Sequence, residues 1–168
     1  SVNNISPGGA DWVSAINTAT TNWEAVADCK INFTQVTAEN QANISFHADI
    51  TSEFTSAYSC MANLSSTTIA RAAFPMNGNI GRYISINNSY NGTTSLDNKR
   101  KSMRHEIGHT LGFRHNNAVA EGEDTNFSRC YGTIYGLNLL QGTPPNDAVS
   151  VMKQGLYTYA LSTNDKKA

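Results

Sequence analysis

Charge is scarce in this sequence. Twelve Lys and Arg stand against 13 Asp and Glu in 168 residues, a net of −1. So sparse and balanced a set offers no basic surface, which excludes nucleic acid and anionic membrane as partners. Long apolar runs are missing as well. No stretch approaches the roughly 20 residues that a membrane span needs, and the opening Ser1-Val2-Asn3-Asn4 is polar, unlike a leader. The chain is therefore expected to be a mature or excised domain, with its leader and pro-segment upstream. Cysteine is limited to three residues, and none forms a C-x-x-C pair, so a cysteine zinc site is excluded. Cys29 lies in an alternating run and is expected to point into the core. Cys60 and Cys130 flank irregular segments and are the two that a secreted protein could join. No internal repeat or linker breaks the chain, and its length suits one domain over residues 1–168.

What is present is Asn, Ser and Thr in quantity, which suits an extracellular protein, and one motif. His105-Glu106-Ile107-Gly108-His109 is followed by Gly112 and His115. Matching that many fixed positions by chance, at about 5% usage each, has a probability on the order of 10⁻⁴ or below. Coincidence is therefore the weaker reading. Two His at i and i+4 lie on one face of a helix, so both rings reach one metal ion. Gly112 lets the backbone leave the helix sharply, and His115 can then complete the set. Glu106 sits beside them, where it can hold a water molecule.

The surrounding helix is expected over about residues 95–112. Leu96, Met103, Ile107 and Leu111 recur at steps of seven, four and four, one apolar stripe with the histidines pointing away from it. Thr94, Ser95 or Asp97 could cap its start. Lys99, Arg100, Lys101 and Arg104 read as a solvated face.

Three neutral imidazoles leave a fourth zinc position open, the mark of a catalytic site. Zinc would lower the pKa of water held there to about 7 and polarise a scissile carbonyl. Glu106 would take the proton during attack and pass it to the leaving amine. The expected chemistry is hydrolysis without a covalent intermediate.

The string from His105 to His115 resembles the extended zinc motif of the metzincin metallopeptidases. Ser150-Val151-Met152-Lys153 resembles their Met-turn, which implies that Met152 forms an apolar floor beneath the zinc. Read alone, such a Met is core filler. Residues 68–75 are similar to the edge strand on the upper rim of the metzincin cleft, and residues 81–87 to the next inner strand. Gln141–Asp147 with Ser150–Met152 is similar to the bacterial HEIGH-type, dual-action branch. Leu161–Asp165 resembles the start of a closing C-terminal helix. Two positions depart from other branches. Gln154 stands where several carry a Tyr that assists the oxyanion, so no catalytic Tyr is assigned; Tyr157 and Tyr159 read as packing residues. Asn116 follows the last His, where named branches carry an acidic residue or Ser.

The resemblance implies an α+β, metzincin-like (zincin) domain. A mixed, mostly parallel twisted sheet with two backing helices (about residues 1–112) would stand above an irregular lower subdomain (about 113–168), with zinc in the cleft. A first helix is expected over about residues 10–27, with an apolar stripe of Trp12, Val13, Ile16, Ala19 and Trp23. Strands are expected at 30–36, 42–48, 68–74 and 81–87, and a mostly irregular segment from 116 to 150. His47 reads as a surface or strand histidine rather than a second metal site. Calcium held by loop carbonyls and carboxylates such as Glu121, Glu123 or Asp124 stays open, without EF-hand spacing.

The expected activity is that of a secreted, monomeric zinc metalloendopeptidase, metzincin type (EC 3.4.24 class). Its substrate would be an extended peptide or protein, added as a strand near residues 69–74. Two other readings stand beside it: a zinc amidohydrolase acting on a narrow non-protein or single-peptide substrate, and a zinc-containing binding module whose catalysis has been retired.

Overall fold

The computed structural model describes residues 2–3, 9–48, 64–122, 127–129, 132–134, 139–155 and 160–167. Helix α1 (Gly9–Glu24) is built on a stripe with spacings of three, one, three and four. Trp12, Ala15, Ile16, Ala19 and Trp23 are all buried. Val13 is 36% exposed and does not join that stripe, because one residue turns it about 100° from Trp12. The helix stops at Glu24, three residues before the expected end. Asp28 then takes a left-handed φ of 64°, which breaks any helical continuation.

Residues 30–36 form no regular secondary structure and join no sheet, contrary to expectation. Their alternation records a half-buried run laid over the core: Phe33 packs against it, and its backbone N–H is bound by Glu24 Oε1 at 2.7 Å instead of a neighbouring strand. Cys29 is half-buried rather than a core residue. Cys60 and Cys130 lie outside the described residues.

The main sheet holds β1 (Val2–Asn3), β2 (Ser45–Ala48), β3 (Ala70–Ala72) and β4 (Tyr83–Ile86), in the order β1-β2-β4-β3. The first three in that order run parallel, and β3 is antiparallel at the edge. Register puts Phe46 beside Ile84, Ile86 beside Ala70, and Ile84 beside Ala72. These residues share the face that meets the helices in one core. The opposite face is also covered, since Ser45, His47 and Ser85 are buried. His47 is thus a strand residue but not a surface one, and its Nε2 lies 3.0 Å from Glu39 Oε1.

Helix α2 (Leu96–Thr110) begins at Ser95, whose side chain accepts from the Asn98 N–H. It packs along α1, and Trp23 Nε1 donates to the Arg104 carbonyl at 3.0 Å. Met103 and Ile107 are fully buried, while Leu96 and Leu111 pack at the margin of the core. Burying such side chains contributes about 1.5–3 kcal/mol each. The face carrying the basic cluster is not solvated throughout. Lys99 and Arg104 are buried, because α1 and the loop at Asn91 cover them. Lys99 Nζ donates to the Asn91 carbonyl at 2.8 Å and lies 5.3 Å from the Trp12 ring centroid.

Beyond α2, two short strands, β5 (Phe127–Arg129) and β6 (Gly132–Ile134), form an antiparallel hairpin within the segment expected to be mostly irregular. Among the described residues no helix is long and apolar enough to cross a membrane.

Candidate metal centre

The end of α2 is shaped by Gly112. Its φ of +105° is open to Gly at no steric cost. The Phe113 N–H reaches back to the Gly108 carbonyl and the Gly112 N–H to the His109 carbonyl, both at 3.0 Å, which is the Schellman pattern. The Phe113 ring then stacks on Trp23 at 5.5 Å, anchoring the reversed chain. Three residues beyond Gly112, His115 returns to the two helical histidines.

One nitrogen from each of His105, His109 and His115 comes within 4.8 Å of the others. The ring centroids are 4.6, 4.8 and 5.1 Å apart. Each helical imidazole is oriented from behind. His105 Nδ1 donates to the Val151 carbonyl and His109 Nδ1 to the Phe113 carbonyl, both at 2.7 Å. A carbonyl only accepts, so Nδ1 carries the proton and Nε2 presents its lone pair. His105 Nε2 lies 3.1 Å from His115 Nε2. Burial, then the neighbouring His115, lowers the His105 pKa to about 4 against the pull of the Val151 carbonyl. Imidazole nitrogens that converge in this way suit a divalent transition metal ion.

Glu106 is buried beside the cluster, 8% exposed. The Ala72 N–H, on the sheet edge, donates to its carboxylate, and the charge of Arg71 also favours the ionised form. Burial outweighs both and pushes the carboxyl up to about 8.

Met152 is buried with its sulfur against Gly108, on the core side of the motif. The turn carrying it is held from two directions. Asn116 donates its N–H to the Met152 carbonyl at 3.1 Å and its Nδ2 to the Asp147 carbonyl at 2.8 Å. Asp165 accepts from Ser150 Oγ, and at 2.8 Å from the Val151 N–H. Asp165 and Ser162 also cap each other reciprocally, so residues expected to open a closing helix form one capped turn. Asp147 accepts from the Val149 N–H, Ser162 Oγ and Asn164 Nδ2. Burial opposes its ionisation, but these hydrogen bonds prevail and lower its pKa.

Sequence reasoning did not find Asp147, Asp165 or Asn117. Asn117 accepts from the Gln154 N–H through Oδ1, and its Nδ2 donates to Glu121. The one local signal was Ser162-x-x-Asp165, a capping-box spacing. Gln154 is exposed. Tyr157, Tyr159, Glu123 and Asp124 lie outside the described residues.

A sequence model of the dual-action HEIGH metallo-peptidase family matches residues 6–161. No curated protein sequence matches the chain.

Proposed function

The chain belongs to the dual-action HEIGH metallo-peptidase family, and from that premise we propose that it is a zinc-dependent endopeptidase of the metzincin type. The observation that carries this reading is the convergence of three imidazole nitrogens within 4.8 Å, with a buried carboxyl beside them. His105, His109 and His115 would hold the ion. Bound there, zinc would polarise a carbonyl and make hydroxide available near neutral pH.

Everything else falls to the chain. Glu106, ionised beside the bound cation, accepts the proton of the attacking water and hands it to the leaving amine. The Ala72 N–H holds one side of that carboxylate, which fixes its direction during both transfers. The Val151 and Phe113 carbonyls keep the rings in the tautomer that offers Nε2. Met152 supplies the apolar floor under the cluster, with Gly108 leaving room for its sulfur.

An extended peptide would bind along β3. The Ala73 N–H bonds to the Tyr83 carbonyl and the Asn87 N–H to the Ile69 carbonyl, so residues 69, 71 and 73 face β4. By alternation the backbone groups of Ala70 and Ala72 turn outward, available for strand addition apart from the N–H that Glu106 takes. On this reading residues 1–168 form one secreted, monomeric catalytic domain, with the zinc in a cleft of metzincin form.

The test is cleavage of casein or gelatin by purified protein, its loss on chelation, and its loss in Glu106→Gln while zinc remains bound. Turnover persisting in a zinc-loaded Glu106→Gln protein would remove Glu106 from its role, and wild type that cleaves no protein would remove the endopeptidase reading.

A further inference from the structure

Beside the metal centre, where β3 leaves the sheet, a depression of about 320 Å³ opens between the end of that strand and the turn that leads into β4. Its wall runs from Phe74, whose ring lies 5.0 Å from that of His109, to Arg82 at the start of β4. The site and the depression therefore share a side chain at their border.

The wall is built in advance. Asn77 and Gly78 both take positive φ, 54° and 76°, the two-residue hairpin geometry that Asn-Gly favours. Met76 and Asn79 close it with reciprocal backbone hydrogen bonds at 3.0 Å. Its base is fixed to the end of α2, since the Gly81 N–H donates to the Thr110 carbonyl at 2.8 Å. The fit is close enough that a side chain on Gly81 would fall 1.8 Å from the Ala73 carbonyl oxygen.

The lining is chemically divided. Phe74, Met76 and Ile80 give apolar wall, and the last two are 38% and 40% exposed. Arg82 is exposed, and its guanidinium lies 5.5 Å from the Tyr83 ring centroid. No carboxylate pairs with it among the described residues. A buried core would not leave such a mixture open, and an acidic side chain matches it: methylenes against the wall, carboxylate on the guanidinium.

We propose that this depression is a substrate subsite that takes an acidic side chain, with Arg82 as its specificity-determining cation. This rests on the endopeptidase reading and adds to it a substrate class.

The experiment is a cleavage-site profile on a proteome-derived peptide library with wild type, Arg82→Gln and Arg82→Glu, each checked for native circular dichroism. Wild type should enrich Asp and Glu up to about fivefold at one position near the scissile bond, the range of an exposed ion pair. The preference should vanish in Arg82→Gln and turn toward Lys and Arg in Arg82→Glu. Cleavage without acidic preference, or a preference that survives Arg82→Gln, overturns the subsite while leaving the peptidase reading intact. A second measurement does not need turnover. Zinc-loaded Glu106→Gln protein should bind a fluorescein-labelled Asp-containing peptide more tightly than its Asn counterpart at low salt. The added Arg82→Gln change should erase that difference, and equal binding of both peptides before that change overturns the proposal.

Discussion

The sulfur of Met152 occupies the space where a side chain on Gly108 would begin: a Cβ built there would lie 2.3 Å from Sδ and 3.2 Å from Trp23 Cζ2. The Gly of the His105–His109 motif is therefore explained by a residue 44 positions downstream. Gly108→Ala should be destabilised despite the better helix propensity of Ala. Met152 is buried and its turn is clamped, so the sulfur cannot retreat cheaply, and overpacking of this kind costs about 1–3 kcal/mol. Denaturant midpoints check this. An unchanged or raised midpoint would mean that Met152 moves freely.

The metal-free protein should respond to pH through two buried groups of opposite sign. Glu106 is raised from 4.5 to about 8, so its stabilising contribution is full below pH 4.5 and lost as pH rises through 8. His105 is lowered from 6.5 to about 4, so its contribution is full above pH 6.5 and lost as pH falls through 4. Between pH 6.5 and 8 only Glu106 is still changing. The apoprotein should lose stability across that window, and Glu106→Gln should abolish the loss. Urea midpoints at the two pH values decide it. A wild-type midpoint that stays level, or a variant that falls equally, rejects the assignment.

Asp165 reaches the metal centre through two hydrogen bonds in series. It holds the Val151 N–H, and the Val151 carbonyl holds His105 Nδ1. Asp165→Asn places an amide nitrogen where one of its acceptor oxygens stood, beside donors from Ser150, Val151 and Ser162. Leaving such groups unsatisfied costs about 1–3 kcal/mol. Zinc affinity should fall as well, by about tenfold or more, as for other groups that orient a ligand. Competition against a chromophoric chelator measures it. Lower stability with unchanged affinity would show that the turn and the ring are not coupled.

The parts legible in the sequence were those whose partners are near in the chain. His105 and His109 share a helix face by spacing alone, Ser95 stands among the three residues of capping type at the helix start, and the strands at 70–72 and 83–86 fall within the segments 68–74 and 81–87 that the family resemblance implies. What stayed hidden depends on contacts across long separations. Periodicity gives Lys99 and Arg104 a polar face but cannot say that α1 covers it. Alternation over 30–36 marks half-burial, yet only the fold decides that no strand lies alongside. Asp147 and Asp165 look like ordinary loop acids until the two segments they join are brought together.

Arg104 provides the sharpest test of that covering. The residue is 2% exposed, and its guanidinium donates through Nη2 to Asn22 Oδ1, while Nε and Nη1 have no partner among the described residues. Burial, and then the charge of Arg100, lowers its pKa. A cation desolvated without a carboxylate contributes little attraction against its loss of hydration, so a well-packed apolar replacement should do as well or better. Arg104→Met is expected to be neutral or stabilised by about 1–4 kcal/mol. Asn22→Ala should be destabilised by about 1–3 kcal/mol, because it removes the one acceptor facing a buried charge. In the Arg104→Met background the same Asn22→Ala change should cost less, since no guanidinium remains to be satisfied. Thermal melts of the four proteins form a double-mutant cycle, and additive effects would show that the two side chains do not interact across the helix interface.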